Sequence, residues 1–234
     1  MQLQVLYEDN HIIAVVKPAG VLSQGDMTGR KSIFDQTKEY LKEKYKKPGN
    51  VFLGLVHRLD RTVSGIILFA KTSKGASRLS EQFRNHTIQK TYNAVVLGNL
   101  KEKEGELKEK VKKISFFAEG FGNKTDEELL KEIKKATKTR TAELSYKVLK
   151  HNDKYSLLEI KPKTGRFHQI RIQMSELGHP ILGDGTYNKK AIESWKSKDS
   201  IALCATGIIF KTATGDKEIN LKIDVPVEWR GYIE

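Results

Sequence analysis

The sequence predicts a mixed α+β protein of one domain. Three observations carry that expectation: strand-like and helix-like periodicities alternate along the 234 residues without a fixed-period repeat, no Pro/Gly/Ser-rich linker divides them, and 38% of residues are apolar. That apolar fraction beside 30% charged residues excludes a disordered chain and allows a buried core at this length.

The elements follow in chain order. Leu3–Glu8 and Ile12–Lys17 read as two strands joined at Asp9-Asn10 and closed by Pro18-Ala19-Gly20. From Ser32, the spacing of Ile33, Phe34, Thr37, Tyr40, Leu41 and Tyr45 predicts a helix that ends before Pro48-Gly49, with Asp35 in its first turn. A strand over Gly65–Ala70 precedes a second helix over Lys74–Asn85 whose inner face carries Ala76, Leu79, Ser80 and Phe83. Tyr92–Leu97 is the next strand. Residues 101–140 then hold 12 Lys or Arg and 9 Asp or Glu and are read as an exposed insertion. Thr125 and Glu128 resemble a capping box ahead of Leu129, Leu130 and Ile133, so the insertion is expected to carry its own helix. Glu143–Leu149 and Tyr155–Lys161 alternate about His151-Asn152-Asp153 and predict a hairpin. Phe167, Ile170, Met174 and Leu177 predict a helix up to Gly178, and the tail returns to strands over Ile201–Phe210 and Lys217–Ile223.

Composition narrows the functional classes. Lys and Arg exceed Asp and Glu by 42 to 29, a formal charge of +13, which favours a polyanionic partner, nucleic acid first. Apolar runs such as Ile12–Val16 and Ile66–Ala70 are five residues long, against the roughly 20 that a membrane-spanning helix needs. The N-terminus lacks the basic start and apolar stretch of a signal peptide, and the single Cys204 permits neither an internal disulfide nor a cysteine zinc cluster. A cytoplasmic protein is expected.

Two clusters stand out. In His57-Arg58-Leu59-Asp60-Arg61-Thr62-Val63-Ser64-Gly65 a carboxylate lies between two arginines, whose charge favours its ionised form and suits it to act as base or nucleophile; a loop salt bridge is the plainer alternative. In Thr164-Gly165-Arg166-Phe167-His168-Gln169-Ile170-Arg171, helical spacing puts Phe167, Ile170 and Arg171 on one face while His168 and Gln169 point elsewhere. An arginine at a core edge requires a carboxylate or phosphate partner, unless it snorkels over apolar surface. Gly178-His179-Pro180-Ile181-Leu182-Gly183-Asp184 reads as a tight loop whose His and Asp are turn hydrogen-bonders. His57, Asp60, His168, His179 and Asp184 show no metal-ligand spacing, and no glycine-rich nucleotide loop is present, so neither a metal nor a nucleotide cofactor is expected.

His57-Arg58-Leu59-Asp60, with Ser64-Gly65 and Ala70-Lys71-Thr72 behind it, resembles the active-site motif of the RluA family of RNA pseudouridine synthases. Tyr7-Glu8-Asp9 and Lys17-Pro18-Ala19-Gly20 resemble the family's opening motif, Lys90-Thr91-Tyr92 its K-x-Y, Thr164 to Arg171 its T-G-R-x-H-Q-[IL]-R, and Gly178 to Asp184 its G-H-P-I-x-G-D. Val63 stands where many members have Thr, and Leu203-Cys204-Ala205 replaces a frequent L-H-A.

The resemblance implies a largely antiparallel, mixed sheet with flanking helices and loops around a central cleft, no separate N-terminal RNA-binding domain, and conversion of uridine in RNA to pseudouridine without cofactor or metal. It implies Asp60 as the essential carboxylate, by attack at C1′ or removal of the C2′ proton. Tyr92 would stack on the target uracil and Arg171 would pair with Asp60. Arg58 would fill the place of the flipped uridine, and His57, Arg61, Lys90, Arg166, His168 and Gln169 would serve substrate binding. The expected substrate is a stem-loop of ribosomal or transfer RNA and the expected protein a monomer. A non-catalytic RNA-binding or chaperone protein on the same fold and a metal-dependent nuclease are the competing readings.

Overall fold

The computed structural model describes residues 2–25, 29–112, 128, 131 and 138–233. The chain forms two compact units, 1–90 with 205–224 and 91–204 with 225–234.

In the first unit β1 (Val5–Glu8) pairs antiparallel with β2 (Ile12–Lys17), and β2 antiparallel with β4 (Ser64–Ala70). The two-residue β3 (Gly54–Leu55) lies along β4, and β9 (Leu203–Lys211) pairs antiparallel with β10 (Glu218–Lys222). The β1–β2 turn is set by Asp9, whose Oδ1 accepts the N–H groups of His11 and Ile12, both at 2.7 Å. Helix α1 (Ile33–Lys44) starts where its sequence spacing predicts. Ser32 Oγ accepts the Asp35 N–H at 3.2 Å while Asp35 Oδ2 accepts the Ser32 N–H at 3.1 Å, a reciprocal capping box. Thr72 caps α2 (Ser73–Arg84) through the Gly75 N–H. A Cβ on Gly75 would collide with the His11 carbonyl, so only glycine lets the helix start this close to the β1–β2 turn.

The expected inner face of α2 is borne out at three positions. Leu79 is fully buried and Ala76 and Phe83 pack on a core of Ile12, Ala14, Ile66, Leu68, Ile88, Ile208 and Phe210. Near that core the Glu8 carboxylate accepts from Lys71 Nζ (2.6 Å), Lys44 Nζ (2.7 Å) and the Tyr45 hydroxyl (2.6 Å). Burial alone would raise its pKa; these three donors override that and hold it at about 2.

In the second unit β5 (Gln89–Leu97), β8 (Tyr155–Pro162), β7 (Thr139–His151) and β6 (Glu104–Lys112) pair in that order, each pair antiparallel. Strand β6 occupies part of the stretch expected as a charged insertion, for which hydropathy carries no strand signal. Its register has period two: Glu104, Glu106, Lys108 and Lys110 are exposed, while Gly105, Leu107, Glu109 and Val111 turn toward the covered face. The alternation is written mostly in charged residues, so hydropathy does not display it. Gly105 leaves room for the Tyr146 ring, whose Cε1 would lie 2.8 Å from a Cβ there. Of the helix expected about 125–133, Glu128 and Lys131 are helical and the remainder lies outside the described residues. Helix α3 (Gln169–Glu176) packs on β6. A 3-10 turn at Lys189–Ile192 and a short C-terminal helix α4 (Arg230–Ile233) add to the elements that periodicity predicts.

Candidate active site

The loop that carries Asp60 runs between β3 and β4 and is held chiefly through its backbone. Ser23 Oγ donates to the Leu59 carbonyl at 2.6 Å and accepts the Leu59 N–H at 3.0 Å, so one buried hydroxyl satisfies both polar groups of the residue before Asp60. Lys17, fully buried, donates from Nζ to the carbonyls of Pro18 (2.9 Å), Val21 (2.7 Å) and Arg61 (3.2 Å). The Gly20 N–H reaches the same Arg61 carbonyl at 2.8 Å, and the Val63 N–H closes a turn on the Asp60 carbonyl at 3.1 Å. Lys17 and Gly20 belong to the opening motif, so two sequence-distant motifs meet at the backbone of Asp60-Arg61.

His57 joins this scaffold. Its Nε2 accepts the Leu68 N–H at 2.8 Å and its ring lies against Phe83, centroids 4.7 Å apart. Burial and the positive charge of Lys90 lower its pKa to about 3, so the imidazole is neutral and suited to accept a backbone hydrogen bond. Burial likewise lowers Lys90 and Arg58, the latter opposed by the charge of Asp60. Asp60 and Arg61 are half-buried and Arg58 is exposed. At the end of the loop, Gly65 has φ +122°, and a Cβ there would stand 2.7 Å from the Ala205 Cα. Any other residue is excluded on both counts.

The second unit holds the other predicted residues. Tyr92 is half-buried on β5, opposite Ile160 of β8. Arg171 is 3% exposed and lies on α3 directly after the buried Ile170; Phe167, expected on the same helical face, is buried but precedes the helix. It pairs with Asp184, at 1% exposure: Nε donates to Oδ2 at 2.7 Å and Nη2 to Oδ1 at 2.8 Å, a bidentate buried pair. Nη2 also donates to Thr186 Oγ1 at 3.0 Å and Nη1 to His168 Nε2 at 2.8 Å, with the Tyr187 ring 5.3 Å from the guanidinium carbon. Because arginine only donates, His168 Nε2 is the acceptor; His168 Nδ1 then carries the proton and donates to the Tyr187 hydroxyl at 2.8 Å.

His168 and Gln169 do not point away from the core as helical spacing suggested; both are buried. The helix begins only at Gln169, and His168 sits before it with φ 46°, in the left-handed region, so the face arithmetic does not extend to it. Gln169 uses both ends of its carboxamide. Oε1 accepts from the Thr164 hydroxyl (2.7 Å) and the Arg166 N–H (3.0 Å), and Nε2 donates to the Glu143 carbonyl (2.9 Å). Arg166 donates from Nε to the Thr141 carbonyl at 3.0 Å.

Sequence reasoning missed Ser23 as a support and read Asp184 as a turn residue. The signal for Asp184 was available: a carboxylate beside Pro180-Ile181-Leu182, buried residues all, demands a cationic partner. Among the described residues no group of three or more His, Cys, Asp or Glu could hold a metal ion, and no helix is long and apolar enough to cross a membrane.

Among solved structures the chain is similar to human RNA Pseudouridylate Synthase Domain Containing 4, with a TM-score of 0.73 over 97% of this chain and 90% of that one at 20% identity. It is similar also to human RNA Pseudouridylate Synthase Domain Containing 1, with a TM-score of 0.72 over 99% of this chain and 86% of that one at 21% identity. The α+β fold is thus that of the pseudouridylate synthases. Residues 11–176 match the RNA pseudouridylate synthase family, and the chain belongs to that family. Its relatives include tRNA pseudouridine synthase C of Vibrio cholerae, 30% identical over 99% of this chain and 94% of the relative. Ribosomal large subunit pseudouridine synthase C of Buchnera aphidicola is 30% identical over 98% of this chain and 69% of the relative. Against tRNA pseudouridine synthase C of Pectobacterium carotovorum, 31% identical, the chain spans 61% of the relative's length.

Proposed function

We propose that this protein converts uridine to pseudouridine within structured tRNA or rRNA, with Asp60 as the essential carboxylate. The observation that carries the reading is the family match over 11–176, which runs through Asp60, Tyr92 and Arg171. The names of the relatives, tRNA and ribosomal pseudouridine synthases, support the substrate class. In this reaction the N1–C1′ bond of uridine breaks, the uracil turns, and C5 bonds to C1′. C5 then gives up its hydrogen as a proton and N1 gains one, so the RNA is isomerised without net loss or gain of atoms. Asp60 acts at the sugar, attacking C1′ or taking the C2′ proton. Tyr92 offers an aromatic face for the flipped base. Arg58, Arg61, Lys90 and Arg166 supply cationic contacts to the RNA. His57, His168 and Gln169 serve the binding site through the loop and helix start they brace. The formal charge of +13 supports an RNA partner, and we read the protein as a cytoplasmic monomer that needs no metal or cofactor.

The test uses 5-tritiated uridine in unmodified tRNA and rRNA, incubated with enzyme in EDTA. Wild type should release tritium and Asp60→Asn should release none while still binding RNA, because an amide can neither add to C1′ nor remove the C2′ proton. Undiminished release by Asp60→Asn would remove Asp60 from its role. No release by wild type on either RNA, with RNA binding intact, would favour a non-catalytic RNA-binding protein.

A further inference from the structure

The two ends of the Arg171 guanidinium meet acceptors of different kinds. Asp184 takes Nε and Nη2 through its two carboxylate oxygens, at 2.7 and 2.8 Å, and Thr186 Oγ1 takes Nη2 as well at 3.0 Å. At the Nη1 end stands His168 Nε2, 2.8 Å away. An ionised carboxylate accepts through either oxygen, whereas an imidazole nitrogen accepts only while it carries no proton. With a proton on Nε2, His168 would set one donor against another. This hold on Nη1 therefore depends on which nitrogen of the ring is protonated.

The Tyr187 hydroxyl lies 2.8 Å from Nδ1, the nitrogen that carries the proton when Nε2 accepts. The Tyr187 ring stands almost perpendicular to the imidazole, at 84°, and the Phe167 ring stacks on the imidazole at 3.7 Å and 17°. The imidazole is thus set in plane by one aromatic and met at Nδ1 by another. The backbone agrees with this use of the side chain. His168 directly precedes α3, a place where side chains commonly cap the helix, yet it makes no side-chain capping bond and adopts φ 46°. Tyr187 itself belongs to a turn that the Asn188 N–H closes on the Asp184 carbonyl at 3.2 Å. One short loop therefore reaches both ends of Arg171, directly through Asp184 and by way of His168 through Tyr187.

We propose that Tyr187 is a positioning residue for the reaction: by accepting from His168 Nδ1, its hydroxyl keeps His168 Nε2 a bare acceptor and so holds the Nη1 end of Arg171. This role rests on the reading of Arg171 as a residue of the reaction proposed above. Tyr187 lies beyond the family match over 11–176 and beyond the Gly178 to Asp184 motif. It acts through His168 and needs no contact with the RNA.

The experiment compares wild type, Tyr187→Phe, His168→Asn and the double variant, with Tyr232→Phe as a control that removes a hydroxyl bonded to the Ser194 carbonyl in the same unit. Phe keeps the ring at 187, and Asn tolerates the left-handed backbone at 168. Tritium release gives kcat and KM on unmodified tRNA, fluorescence anisotropy gives the Kd for the same RNA, and long-range 1H–15N spectra of protein labelled with 15N-histidine report the protonation of each ring nitrogen, with His168→Asn identifying the signals of His168. In wild type, Nδ1 should be the protonated nitrogen and Nε2 the bare one. In Tyr187→Phe the two signals should move toward each other as the second tautomer is populated, and kcat should fall about three- to tenfold, the effect of one lost hydrogen bond, with KM and Kd within about twofold of wild type. In the His168→Asn background the same substitution should change kcat by less than about twofold, because the residue through which it acts is gone. Tyr232→Phe should match wild type in both kcat and spectrum. An undiminished kcat in Tyr187→Phe, or an equal fall with and without His168, would overturn the proposal, as would a wild-type spectrum with the proton on Nε2. The spectra are read without turnover, so a wild type that releases no tritium would refute the proposed reaction, while a His168 spectrum unchanged in Tyr187→Phe would separately refute the hold of Tyr187 on His168.

Discussion

The Asp60 loop and the start of α3 each hold residues of the matched motifs, and they are built in opposite ways. Around Asp60 the fixed groups are peptide N–H and C=O groups, gripped by Ser23, Lys17, Gly20 and His57 from elsewhere in the chain. Around Arg171 the fixed groups are the side chains themselves, locked to Asp184, Thr186 and His168. The first construction anchors the loop by its backbone, so Asn, close to Asp in size, can replace Asp60 while those anchors remain. The second fixes the side chain itself, so Arg171 cannot be altered without dismantling what surrounds it.

This contrast is sharpest in stability. Asp184→Ala leaves Arg171 charged and buried with its bidentate acceptor gone, which should cost about 3–5 kcal/mol of unfolding free energy in a denaturant titration. Asp60→Asn should cost less than about 1 kcal/mol in the same titration. If the two variants were equally stable, the distinction between the regions would break. Ser23→Ala probes the backbone-held side: it strands the buried N–H and C=O of Leu59 and should cost about 1–3 kcal/mol. Tritium release by this variant should fall more than its RNA affinity does, and Ser23→Thr, which restores the hydroxyl, should recover part of the loss. Full activity in Ser23→Ala would show that the Asp60 loop needs no such grip.

A further effect is expected at Glu8, in the first unit, and depends on pH. Its folded-state pKa of about 2 is below its ordinary value of 4.5, so the folded state binds fewer protons than the unfolded one across that interval. The stabilisation is therefore complete above about pH 5 and is lost as pH falls toward 2. Glu8→Gln should be less stable than wild type at neutral pH by roughly 2 kcal/mol, with the gap closing by about pH 2 in thermal melts. A gap independent of pH would assign the effect to packing.

Much of this molecule is legible without its structure. Continuous apolar runs mark β2, β4 and the end of β5, alternation marks the β7–β8 hairpin, and local capping chemistry at Ser32 and Asp35 fixes the start of α1. Strand β6 is not legible because charged residues occupy most of both its faces. The positions of the site residues follow from motif order, which spacing along the chain records directly. Their supports do not. Ser23 acts on a residue 36 positions away and Asp184 on one 13 away, and no periodicity links such pairs. What sequence does supply is the demand, an arginine among apolar neighbours that needs a carboxylate; Asp184 is a carboxylate that meets it.

The boundaries of the two units fall inside strands, at Lys90/Thr91 in β5 and Cys204/Ala205 in β9. The first unit is therefore discontinuous in the gene, and Ile208 and Phe210 of its core are encoded after the whole of the intervening unit. On the ribosome, residues 1–90 emerge first but wait for those two side chains until residues 91–204 have been made. Their apolar surface stays without its last partners through that interval, the period in which nascent chains depend most on chaperones. A nonsense codon shortly after Cys204 would consequently leave the beginning of the protein without part of its own core.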